Sequence, residues 1–110
     1  MITAAVVAAP SSLQQTALDD WTRRHPDGRR LVVAENPFGP LAVPDNISVV
    51  RLAAGCVCCI GQVAVRVALV RAVRTHRPDA VLLLLASADH LPRVRALLED
   101  GRLGVRFAQE

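Results

Sequence analysis

The chain has 110 residues, 13 basic and 10 acidic, and 52% of it is hydrophobic with only 3% aromatic. That length allows one domain with a real core and excludes two. No apolar run approaches the roughly 20 residues of a membrane span, and three cysteines confined to one short segment cannot build a disulfide framework. Every basic residue is an arginine, the arginines are interleaved with acids, and Trp21, Phe38 and Phe107 are the only aromatics. This reads as a solvated surface, so no nucleic-acid partner is expected despite the net charge of +3. The first apolar run, Ile2 to Ala9, lacks the basic flank of a secretory signal, which predicts a cytoplasmic protein with no membrane partner.

That run suits a buried strand. Pro10-Ser11-Ser12 supplies a turn and an N-cap hydroxyl, and Leu13, Ala17, Leu18 and Trp21 follow at helical spacing. Proline and glycine in His25-Pro26-Asp27-Gly28 end the helix. Leu31 to Ala34 is the second strand, a proline-rich loop covers Asn36 to Asn46, and Ile47 to Leu52 is the third strand. Gln62 to His76 carries Val65, Ala68, Leu69, Ala72 and Val73 in an amphipathic helical pattern flanked by Arg66, Arg71, Arg74 and Arg77. Pro78-Asp79 breaks it. Ala80 to Ala86 is an almost wholly apolar strand that must be covered on both faces. Asp89 is placed to cap a last helix through Pro92, Val94, Leu97 and Leu98, ended by Gly101, and Val105 to Ala108 forms a fifth strand. The alternation predicts an α/β fold: one small three-layer domain over 1–110, with a mostly parallel sheet of about five strands and helices on both faces.

All the thiols lie in Cys56-Val57-Cys58-Cys59, after Gly55 and between the third strand and the longest helix. Thiolates are soft ligands for Zn²⁺ and Cu(I), and strand-to-helix crossings are where open α/β sheets hold their binding residues. In extended chain Cys56 and Cys58 face the same side, and a helix N-terminus favours thiolate. Three sulfurs leave a tetrahedral zinc one ligand short. Two other readings stand beside the metal site: cysteines that merely pack as small apolar groups, and a thiol redox protein bridging Cys56–Cys58 or Cys58–Cys59.

His90 follows the fourth strand at the cysteine edge of the sheet and is the candidate fourth ligand. Glu35 ends the second strand at the same edge and is the candidate carboxylate contact. His25 and His76 end helices and belong to the opposite edge. Ser11 and Ser12 read as capping residues, with anion binding at the helix N-terminus as the alternative. Phe38 with Gly39 anchors the proline-rich loop.

The order of these segments resembles the nucleotide-binding domain of the CobW/HypB/UreG-type P-loop GTPases, and the CobW-like metallochaperone branch most of all. Gly55-Cys56-Val57-Cys58-Cys59 matches that branch's Gly-Cys-x-Cys-Cys motif, with Leu52 before it. Asn36-Pro37-Phe38-Gly39-Pro40 is similar to its Asn-Glu-Phe-Gly-Glu loop with both glutamates replaced, and Pro78-Asp79 stands where the family's Walker B strand begins. The resemblance implies a degenerate P-loop NTPase-like fold, truncated relative to the family. A phosphate cradle needs glycines, a lysine and a Ser/Thr for Mg²⁺. Here Ala8-Ala9-Pro10-Ser11-Ser12-Leu13 has neither glycine nor lysine, and Leu84-Leu85-Ala86-Ser87 lacks the family's acidic residue. No GTP and no GTPase activity are expected.

The expected function is therefore non-catalytic binding of a transition metal, zinc first and cobalt or another metal next, through Cys56, Cys58 and Cys59 with Glu35 and His90. The alternative is a pseudo-GTPase interaction or regulatory subunit with a relic cysteine motif. A homodimer through the terminal strand or the last helix, or a CobW-type partner protein, is the expected assembly, because the last apolar strand leaves a sheet edge.

Overall fold

The structure is a computed structural model, and it describes residues 1–35, 41–52, 63–99 and 104–110, with 63–65 described by backbone alone. In chain order the elements are β1 (Ile2–Ala8), α1 (Ser11–Arg24), β2 (Arg30–Ala34), β3 (Ile47–Arg51), α2 (Val63–His76), β4 (Ala80–Leu85), a 3₁₀ turn (Ala88–His90), α3 (Leu91–Leu98) and β5 (Phe107–Gln109). The five strands form one sheet in the order β3-β2-β4-β1-β5, and every pairing is parallel. The sequence leads one to expect a mostly parallel sheet; the described strands are all parallel.

Strand periodicity divides the core in two. Leu31, Val33, Val81, Leu83 and Leu85 point to the face covered by Leu69, Ala72 and Val73 of α2 and Val94, Leu97 and Leu98 of α3. Val32, Ala34, Ala80, Leu82 and Leu84 point to the other face, under Leu18 and Trp21 of α1 and Leu41 of the loop before β3. Both faces of β2 and β4 are covered, and all eleven of their residues are buried. This is why Ala80–Leu85 reads as an unbroken apolar run. The three-layer α/β fold follows.

The topology fixes where a ligand edge lies. The β1-to-β2 connection passes β4 in one direction, and the β4-to-β5 connection passes β1 in the other. Right-handed crossovers moving in opposite directions must cover opposite faces, as α1 and α3 do. The carboxyl ends of β1 and β4 therefore form a topological switch point, the position where open α/β sheets carry their binding crevice.

Several local expectations are corrected. Leu13 is exposed, and Gln14 takes its place in the buried stripe with Leu18 and Trp21. The Gln14 amide turns back to donate to the Ala9 carbonyl at 3.2 Å, satisfying the backbone where β1 ends. No serine hydroxyl caps α1. Pro10 holds the N-cap position in an extended conformation without a side-chain bond, because its ring already fixes the required φ. The fifth strand starts at Phe107 instead of Val105, after Gly104 at φ +73° redirects the chain.

Two side chains fasten the loop before β3: Arg51 donates to the Leu41 carbonyl at 3.1 Å, and Gln15 holds Ala42. Gln15 donates to the Ala42 carbonyl at 3.0 Å and accepts from the Ala42 N–H at 2.7 Å. At the amino edge of the sheet, Asp79 accepts from the Arg29 N–H at 3.0 Å. Arg24 and His25 both pair with the Glu110 carboxylate just beyond β5.

Candidate functional site

The carboxyl edge of β2 and β4 holds the most buried ionisable pair among the described residues. Glu35 follows β2 directly, and its N–H continues the ladder by donating to the Leu84 carbonyl at 2.8 Å. Its side chain is 1% exposed and that of His90 11%. Glu35 Oε1 accepts from the Ala86 N–H at 2.9 Å and from His90 Nδ1 at 3.1 Å. An ionised carboxylate only accepts, so this contact selects the imidazole tautomer that carries its proton on Nδ1. Carboxylate-held histidines of this kind recur at metal and proton-transfer sites because the partner fixes tautomer and ring orientation.

Glu35 Oε2 is buried and has no hydrogen-bond partner among the described residues. A carboxylate oxygen left in that state costs free energy of about 1–3 kcal/mol or more. Buried polar groups are otherwise almost always satisfied, so the orphan oxygen is the kind of feature a bound group would relieve.

Local sequence explains how His90 arrives there. β4 ends at Leu85, and Ser87 Oγ accepts from the Asp89 N–H at 3.2 Å, nucleating the 3₁₀ turn Ala88–His90. Asp89 was the expected cap of the last helix. Ser87 caps the 3₁₀ turn instead, Asp89 lies inside that turn, and among the described residues no side chain caps α3 itself. His90 then stands at the N-cap of α3, where Leu91 and Pro92 begin the helix. The Ser-x-Asp spacing directly after an apolar strand was the signal for the Ser87 cap.

Cys56, Cys58 and Cys59 lie outside the described residues, as do Phe38, Gly39 and the rest of 36–40. What the structure does show is the approach to the cysteine segment. The Leu52 N–H donates to the Ala34 carbonyl at 2.7 Å, so the chain leaves β3 one residue away from Glu35 in the neighbouring strand. Ser11 and Ser12 lie at this same edge, since the Ala9 N–H bonds the Leu85 carbonyl at 2.8 Å, and both are exposed. His25 caps the far end of α1 against Trp21, with ring centroids 5.3 Å apart, and His76 ends α2. Both stand at the edge where β2 and β4 begin, away from Glu35 and His90.

Among the described residues, no group of three or more His, Cys, Asp or Glu side chains is arranged to hold a metal ion. Glu35 and His90 alone are a pair, and a complete site needs donors from elsewhere in the chain or from another molecule. Among the same residues no helix is long and apolar enough to cross a membrane. No protein-family profile, curated protein or solved structure matches this chain.

Proposed function

We propose that this protein binds and hands on a transition metal ion, zinc foremost, through Cys56, Cys58 and Cys59, with His90 as the nitrogen donor. Glu35 holds the His90 ring; its Oε1 is already engaged by two donors, so its role is orientation first, with Oε2 available to a bound group. The observation that carries the reading is this buried Glu35–His90 pair at the carboxyl edge of β2 and β4. Chain connectivity supports it: Cys56 is four residues beyond Leu52, and four residues reach at most about 14 Å. Three thiolates and a carboxylate-held imidazole together make a donor set suited to zinc.

The reading is of a cytoplasmic carrier, where thiols stay reduced, and of no catalysis. Pro10 removes an N–H where a phosphate cradle needs one, and no lysine exists to reach a phosphate. A homodimer, or a complex with a CobW-type protein, is the proposed assembly, and a second molecule is one source of a missing ligand.

Elemental analysis of the reduced protein, purified without a histidine tag and reconstituted with zinc, tests the reading. The expected result is about one zinc per chain, or one per two chains if a ligand is shared between copies. Protein that leaves the column metal-free after reconstitution contradicts it.

A further inference from the structure

The outer face of α2 has a chemistry that the metal reading does not use. Between Val63 and His76 this helix contains no acidic residue. Beside its buried stripe of Leu69, Ala72 and Val73 runs an open cleft of about 410 Å³, lined among the described residues by Arg66, Val67, Val70, Arg71, Arg74 and Thr75. Arg71 and Arg74 are exposed, and neither makes an ion pair among the described residues. The arginines of α1 behave differently, since Arg23 and Arg24 are paired with Asp20 and Glu110. Val67, 48% exposed, stands among the few large hydrophobic side chains left in solvent.

These features together select an occupant. The lining spans residues 66–75, about 14 Å along the helix axis, which matches two to three turns of a partner helix. Arginine pairs with carboxylates through two parallel hydrogen bonds, a geometry lysine lacks. An isolated small anion would engage the guanidinium groups and leave Val67 and the outward part of half-buried Val70 wet. A single-stranded nucleic acid would also leave those aliphatic groups uncovered, and among the described residues no aromatic side chain lines the cleft to stack a base. Only a ligand that is anionic and aliphatic along its length satisfies both.

We propose that this face of α2 docks an acidic amphipathic helix of another polypeptide, with its carboxylates on Arg71 and Arg74 and its aliphatic side chains over Val67 and Val70. This surface does not depend on the cysteines or on a bound metal. Arginine is among the residues in which the binding energy of an interface concentrates, and the aliphatic contacts around it exclude water.

The test is fluorescence anisotropy on the full chain with a fluorescein-labelled helical peptide of about 14 residues, leucines on one face and glutamates flanking them. A second peptide replaces the leucines by serine, and a third probe is single-stranded DNA of about 12 nucleotides. The expected result is saturable, salt-sensitive binding of the Glu–Leu peptide, weakened roughly tenfold or more by Arg71→Glu/Arg74→Glu and by serine in place of leucine. Arg71→Gln/Arg74→Gln gives an intermediate loss. Both arginines are solvent-exposed, and thermal melts of the variants check that folding is unchanged. Absence of saturable binding by the Glu–Leu peptide, binding unaffected by the Arg71→Glu/Arg74→Glu change, or tighter binding of the DNA through the same arginines overturns the proposal.

Discussion

Glu35 and His90 lie 55 residues apart in sequence and meet through a single Oε1 to Nδ1 hydrogen bond of 3.1 Å. The same Oε1 takes the N–H of Ala86, so one carboxylate oxygen joins the end of β2, the end of β4 and the turn that leads into α3. Replacing Glu35 by alanine leaves a buried imidazole and a backbone N–H without their acceptor. The expected loss is about 1–3 kcal/mol of unfolding free energy, and less for Glu35→Gln, whose oxygen still accepts. Urea denaturation measures both. A double-mutant cycle with His90→Ala should give a coupling of at least about 0.5 kcal/mol; strict additivity would mean the contact carries no energy of its own.

Gly28 has φ +87°, and a Cβ built there meets Asp79 Oδ2 at 3.0 Å. The same carboxylate oxygen holds the Arg29 N–H. Gly28→Ala therefore combines left-handed backbone strain with displacement of that staple, and is expected to cost about 1–2 kcal/mol. Thermal unfolding reads the change. A neutral substitution would show that the turn relaxes without cost.

Trp21 is fully buried under the sheet, yet its indole Nε1 has no hydrogen-bond partner among the described residues. Trp21→Ala opens a cavity and should cost about 3–5 kcal/mol. Trp21→Phe loses volume but also removes the orphan donor, so its cost should stay below about 1.5 kcal/mol. Equal destabilisation by the two substitutions would indicate that the indole N–H is satisfied after all.

Isothermal calorimetry with Mg·GTP should show no micromolar binding. Pro10 is the N-cap of α1 with no glycine before it, Ser11 and Ser12 are exposed, and no lysine is present to meet a phosphate. A clear binding isotherm would require a phosphate site of another kind.

How far these features could be read in advance varied with their physical origin. β4 was legible because burial on both faces forces an uninterrupted apolar run, and the order of strands and helices was legible because turn residues punctuate it. The phase of α1 was not. Leu13 and Gln14 are adjacent, and which one turns inward depends on how the helix meets the sheet and on the free Ala9 carbonyl that the Gln14 amide satisfies. Caps failed for a similar reason: Pro10 displaced a serine at α1, and the 3₁₀ turn capped by Ser87 put His90 instead of Asp89 at the N-cap of α3. Glu35 and His90 could be assigned to one edge from strand order alone. Their direct contact could not, because it depends on the 3₁₀ turn set by Ser87 Oγ. The cysteines, the strongest signal in the sequence, lie outside the described residues, so their geometry rests on experiment.

That experiment is a Co²⁺ titration of the reduced protein followed by optical absorption. Thiolate ligation gives intense sulfur-to-cobalt charge-transfer bands, and tetrahedral coordination gives visible bands of high intensity. The account predicts both in the unaltered chain, loss of the charge-transfer bands in Cys56→Ser/Cys58→Ser, and an affinity lowered roughly 10- to 100-fold in His90→Ala with the sulfur bands retained. No cobalt uptake by the reduced protein, or a spectrum unchanged in the double cysteine variant, contradicts the metal-binding account.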